Sequence, residues 1–382
     1  MRRWFSGGMS AALALVMGSY AMAGDTVRAY IGTYTQKGGA GIYVLELDRE
    51  TGKVTEARVA AEQKNPSFVA IHPSRKFLYA VSEVDNVDGK TGGGASAYRI
   101  DTKSGTLEKL NAEMTGGGAP CHLVVDAAGK NLLLANYSGG SVACLPIGAD
   151  GTLKPTSSFV QHVGSSVDKG RQEAPHAHSI NVDPTGAYSV VADLGLDKVL
   201  VYKFNSEAGT LSPNNPASTS TKPGGGPRHF AFHPSGKYAY TNLEMTSEVT
   251  AFQVQPGGVL AGIQTLSTLP NGEPVPGNST AECQVHPNGK FVYVSNRGHN
   301  TLAIYSVDLS NGRLTHIGNQ STGGAVPRNF CIDPSGRFIL AANQESDTVV
   351  VLKVDQETGL LTLTGSQAQV SMPVCVKFWE AP

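Results

Sequence analysis

From residue 27 to the end of the chain, apolar residues come in short runs that alternate with polar ones, as in RAYIGTY, KFVYVSN and TVVVLKV. The runs are rich in Val, Tyr and Phe and bounded by glycine, proline and aspartate, which is the pattern of half-buried strands. Almost no segment repeats at a helical period. The runs also recur in a fixed order. One signature is an Asp- or Asn-led turn with a glycine before an apolar residue: DRETGKV, DTKSGTL, GADGTL, NSEAGTL, QPGGVL, DLSNGRL and DQETGLL. Its glycines (Gly52, Gly105, Gly151, Gly209, Gly258, Gly312, Gly359) define a unit averaging about 51 residues. A second signature joins two apolar runs: IHPSRKFLYAV, VDAAGKNLLLA, VDPTGAYSVVA, FHPSGKYAYTN, VHPNGKFVYVS and IDPSGRFILAA.

Each unit therefore reads as four antiparallel strands, A to D, with the second signature between A and B and the first between C and D. Seven such units at this period predict an all-β, seven-bladed β-propeller. The second signature occurs six times because the chain begins at a strand B, RAYIGTY, and ends on an unpaired strand, PVCVKFW. Placing the C-terminal strand innermost in the N-terminal blade closes the ring and removes two exposed sheet edges.

Composition refines this picture. The charge is balanced, 30 Lys and Arg against 31 Asp and Glu, which argues against a nucleic-acid or anionic-membrane partner. Arg2 and Arg3, the apolar stretch Met9 to Met17 and the Ala21-Met22-Ala23 cleavage pattern read as an export signal over residues 1–23. The expectation is a single domain over 24–382, periplasmic or secreted, with no membrane attachment once the leader is cut, and monomeric or weakly oligomeric. The five cysteines are odd in number and widely spaced, so free thiols are expected. No metal-ligand spacing or cofactor fingerprint occurs, so neither a metal nor a cofactor is expected.

Strand direction sorts the polar residues. Both turn signatures lie on one face of the disc, where His72, His233 and His286 serve as turn formers. The B–C loops and D–A connections lie on the other, together with two insertions near 155–174 and 269–280. At that face His176, His178, Arg228, His229, Glu282, Arg328, Asn136, Asp193, Glu244, Arg297 and Gln344 are expected to converge on the channel mouth. Asn136, Asp193 and Gln344 read equally well as bridges between blades. Arginine is seldom buried without an acceptor, and its surplus here points to an anionic ligand. With no nucleophile elbow in the sequence, what remains is acid–base chemistry beside an anion clamp. His178 or Glu244 would be the base, and Arg228 and Arg297 would grip an anion or steady an oxyanion.

The segment GGGPRHFAFHPSGKYAYTNLEMTSEVTAF (224–252) resembles the hallmark of the propeller lactonases, a family that includes 6-phosphogluconolactonases and a carboxymuconate cyclase. PHAHSINVDPTG, AECQVHPNGKFVYVSNRG and VPRNFCIDPSGRFILAANQESDT match it in order, across roughly residues 27–380. The resemblance implies the seven-bladed fold and hydrolysis of a small-molecule lactone. It assigns catalysis to His178, Arg228, Glu244 and Arg297, while Glu282, Arg328 and Gln344 fall in matching segments. Because phosphorylated sugars are scarce outside the cytoplasm, the export signal favours an unphosphorylated aldonolactone. A non-catalytic ligand- or protein-binding propeller and a muconate-type cycloisomerase are the alternatives.

Overall fold

The alternating runs become strands, and the two repeated turn signatures reverse them into seven four-stranded antiparallel sheets. The protein is described by a computed structural model covering Met1, residues 25–87 and residues 89–382; the export signal expected over residues 1–23 lies, apart from Met1, outside the described residues. Blades are numbered along the chain and strands lettered outward from the axis. Strands A of blades 1 to 7 are Pro373–Trp379, Val69–Ile71, Pro120–Val125, Ala177–Val182, Pro227–Phe232, Ser279–Val285 and Pro327–Ile332. Each touches its two neighbours, so the ring is closed. In blade 1 the C-terminal strand pairs antiparallel with Thr26–Thr33, in register from Arg28↔Trp379 to Gly32↔Cys375, as the unpaired ends of the repeat predict.

The repeated glycine has a packing role beyond its turn. At Gly151, Gly258, Gly312 and Gly359 a Cβ would land 2.3–2.6 Å from an aromatic ring at the start of strand B of the preceding blade: Phe77, Tyr188, Tyr238 and Phe291 respectively. All four have positive φ, where glycine carries no steric penalty. Two residues further along strand B, Tyr79, Tyr240 and Tyr293 donate their hydroxyls to the carbonyls of Gly151, Gly312 and Gly359 at 2.9–3.1 Å. His72, His233 and His286 do likewise: each Nε2 lies 2.8–2.9 Å from the carbonyl of a turn glycine in the next blade. The turn signatures thus latch neighbouring blades together. Apolar clusters fill the same seams, as where Tyr293 and Leu302 of blade 6 pack with Phe330, Ile339 and Leu352 of blade 7. The five cysteines are free thiols, four of them fully buried.

Candidate active site

Strand A enters each blade from the loop face, so its first residues line the upper channel and later ones lie deeper. The upper level is set by Ser67, Cys121, His178, Arg228, Arg328 and Val374. Around it stand residues that close or follow strand B: Tyr34, Glu83, Tyr137, Glu244 and Arg297. Together they bound a cavity of about 300 Å³ lined by Glu83, Cys121, Tyr137, Arg171, His178, Glu244, Arg297 and Arg328. Arg228 forms the floor beneath it.

Glu244 organises the cations. Its Oε1 accepts from Arg171 Nη2 at 2.8 Å, and its Oε2 lies 3.0 Å from Arg228 Nε and 3.2 Å from Arg297 Nη2. Arg228 Nε approaches off its N–H direction and is left without a hydrogen bond, while Nη1 donates to the Ala281 carbonyl. Burial alone would raise the Glu244 pKa, but Arg297, Arg228 and Arg171 outweigh it and hold the carboxyl down at about 2. Arg328 Nη2 donates to Tyr34 Oη at 3.0 Å, and that hydroxyl donates its own hydrogen bond to Glu83 Oε1 at 2.9 Å. Four guanidinium groups against the two carboxylates leave a formal charge of +2 around the cavity.

His178 is buried with its ring edge-on to Tyr137 at 5.2 Å and to His229 at 5.5 Å. Burial, and then Arg228, push its pKa well below that of a free histidine, so the imidazole is neutral. Cys121 Sγ lies 3.7 Å from its Nδ1, with the thiol held protonated by burial. A neutral imidazole beside several fixed guanidinium groups can accept a proton while the charge that develops elsewhere is stabilised.

The expected residues divide by depth. His178, Arg228, Glu244, Arg297 and Arg328 come together. His229 and Glu282 lie one level lower, with His229 Nδ1 3.0 Å from Glu282 Oε1. His176 sits behind the wall, stacked on Tyr137 at 4.7 Å with Nδ1 on its carbonyl. Asp193 is fully buried, bonding His162 Nδ1 at 2.6 Å and the His176 and Leu196 amides. Asn136, equally buried, bonds Ser141 in its own loop. Gln344 bonds the adjacent Glu345 and lines none of the cavity. The first insertion does roof the site, through Arg171, which sequence reasoning left unnamed. Tyr34, Glu83 and Tyr137 were also missed; their signal was the slot after strand B, which Glu244 shares. The glycine run before Pro227 wraps a carboxylate of its own chain, with Gly224 and Gly226 amides donating to Asp197 at 2.7 and 2.8 Å.

Residues 28–378 match the family model described as "Lactonase, 7-bladed beta-propeller". A 6-phosphogluconolactonase of Bacillus subtilis is 40% identical over 350 residues, 91% of this chain and 97% of that protein. The structure of a Pseudomonas aeruginosa periplasmic gluconolactonase superposes with a TM-score of 0.88 at 35% identity, covering 94% of this chain and 100% of that one. A putative 6-phosphogluconolactonase from Bacteroides fragilis gives 0.86 at 36% identity, over 93% and 98% of the two chains.

Proposed function

This chain belongs to the family of seven-bladed β-propeller lactonases, carboxylic ester hydrolases, and from that premise we propose that it hydrolyses a sugar lactone in the arginine-lined cavity with His178 as the base. The observation that carries the assignment is that His178 shares one cavity with Arg171, Arg297 and Arg328, with Glu244 holding Arg171, Arg228 and Arg297 in place. His178 takes a proton from water as the water oxygen bonds to the lactone carbonyl carbon. The carbonyl π electrons move onto oxygen, and Arg297 and Arg328 stabilise that oxyanion. The tetrahedral intermediate then collapses, the ring C–O bond breaks, and the departing alkoxide regains the proton from His178. Glu244 is engaged as the counter-ion of Arg171, Arg228 and Arg297 and is not free to take that proton. Its role is to orient Arg171, Arg228 and Arg297.

The proposed substrate is an unphosphorylated aldonolactone, and the proposed location is the periplasm or the medium. The leader-like residues 1–23 and the likeness to a periplasmic gluconolactonase support both. Titration of acid release from gluconolactone and its 6-phosphate tests the reaction. Turnover above the spontaneous rate is expected, faster on the unphosphorylated ring; rates equal to background on both would overturn the proposal. Arg297→Ala is expected to lower kcat/KM by about 10²–10³-fold, the loss typical of one oxyanion donor. Mass analysis of the exported protein should place its first residue at Gly24, and a chain that retains Met1 would remove the basis for export.

A further inference from the structure

The active-site cavity occupies only the loop side of the axis. At and below His229 lies a second cavity, of about 320 Å³, whose polar lining comes from His229, His122, Asn181, Glu282, Gln284 and Lys377. We propose that this lower cavity is a separate binding site for a small oxyanion, a carboxylate or a phosphate.

The argument is a sorting of donors from acceptors. Gln284 is satisfied: its Nε2 donates to the Phe330 carbonyl at 2.6 Å and its Oε1 accepts from the Ile332 amide at 3.3 Å. Glu282 is satisfied as well. One oxygen takes the Cys283 amide at 2.9 Å and lies 3.0 Å from His229 Nδ1; the other takes Asn329 Nδ2. The acceptors of Gln284 and Glu282 are therefore engaged, and the donors of Asn181, His122 and Lys377 remain. Asn181 Nδ2 has no hydrogen-bond partner among the described residues. His122 is 5% exposed, and its Nδ1 receives the Ile180 amide at 3.3 Å, which in a neutral ring puts the proton on Nε2, the nitrogen left free. Lys377 Nζ lies 4.8 Å from the centroid of the Phe68 ring and has no carboxylate partner among the described residues.

Three spare donors, one of them cationic, suit a ligand that only accepts. An oxyanion can accept from all three at once, with a charge-assisted bond from Lys377. The donors come from strands A of blades 1, 3 and 4, so the site exists only once the C-terminal strand has closed the ring.

Calorimetric titration of the full-length protein with inorganic phosphate, and separately with acetate, tests this against Lys377→Met and Asn181→Leu. Because the upper cavity also holds cations, two classes of anion site are expected in the unmodified protein. Each variant should weaken one class at least tenfold and leave lactone turnover unchanged. A preference for acetate identifies a carboxylate site and a preference for phosphate a phosphate site, either supporting the proposal. Identical isotherms for all three proteins overturn it, and Asn181→Leu keeps the test decisive if Lys377→Met does not fold. Crystals soaked in selenate should show an anomalous peak within hydrogen-bond distance of Lys377, and a chamber holding only water at saturating selenate overturns the proposal. Loss of turnover in the unmodified protein would strike the lactonase assignment and leave this one standing.

Discussion

At the scale of single residues the site is governed by charges that have lost their water. Glu244 is 5% exposed and faces three guanidinium groups, so it compensates Arg228, which is buried deeper still. Glu244→Gln preserves shape and removes that compensation. The expected cost is about 3–5 kcal/mol of stability, measured by urea unfolding, because a buried arginine is left without its counter-ion. The histidines set the pH dependence. His122, His178 and His229 all have pKa values well below 6.5 in the folded chain, burial being the largest cause for each. Below pH 6.5 the unfolded chain binds protons that the folded chain refuses, so stability must fall as pH falls from 6.5 toward the folded values. The slope approaches about 1.4 kcal/mol per pH unit for each histidine. Urea midpoints at pH 7.5 and 5.5 check the sign, and a higher midpoint at pH 5.5 contradicts it. The same depression keeps His178 unprotonated, so kcat/KM should hold its plateau below pH 6.5 instead of halving there. Type and position were legible for His178, Arg228, Glu244 and Arg297, since the strand order fixes which end of each strand faces the loops. The division of His229 and Glu282 from them was not, because depth along the axis depends on bulges near the start of strand A, such as that between Pro227 and Phe230.

At the scale of the element, the turn between strands C and D does two jobs. Its glycine makes the positive-φ turn and leaves room for the neighbouring blade's aromatic ring. Gly359 has φ +74° and a Cβ there would lie 2.3 Å from Phe291 Cδ1. Gly257 has φ +78° with nothing within 4 Å. Gly257→Ala therefore bears only the conformational cost of about 1–2 kcal/mol. Gly359→Ala adds the displacement of a buried ring, typically 1–3 kcal/mol more. Thermal unfolding of the two variants side by side checks the order, and equal melting temperatures would show that the aromatic contact contributes nothing. The turn glycines were legible from the sequence as turns. Their contact across the blade seam was not, since it joins residues far apart in the chain, Gly359 and Phe291 by 68 positions and Tyr30 and Gly105 by 75.

At the scale of the whole molecule, seven similar sheets acquire one unlike centre. Removing residues 373–382 takes strand A from blade 1, opens the ring beside blades 2 and 7, and exposes two sheet edges. Size-exclusion chromatography of that truncation should show aggregate instead of a folded species, and a stable monomer would mean that closure is dispensable. The sequence alone determined the period, the four-strand unit, the seven blades, the closure by the last strand and the face on which the unlike residues lie. It could do so because turn chemistry and strand alternation are local, and locality repeats. Only the tertiary structure decided which side chains share a cavity: that Arg171 reaches Glu244 from an insertion, that Tyr34 joins Arg328 to Glu83, and that the axis holds an upper and a lower chamber. Those pairings lie between blades, where distance is set by how the ring closes and by the bulges that shift each strand along the axis, and no local pattern in the chain encodes either.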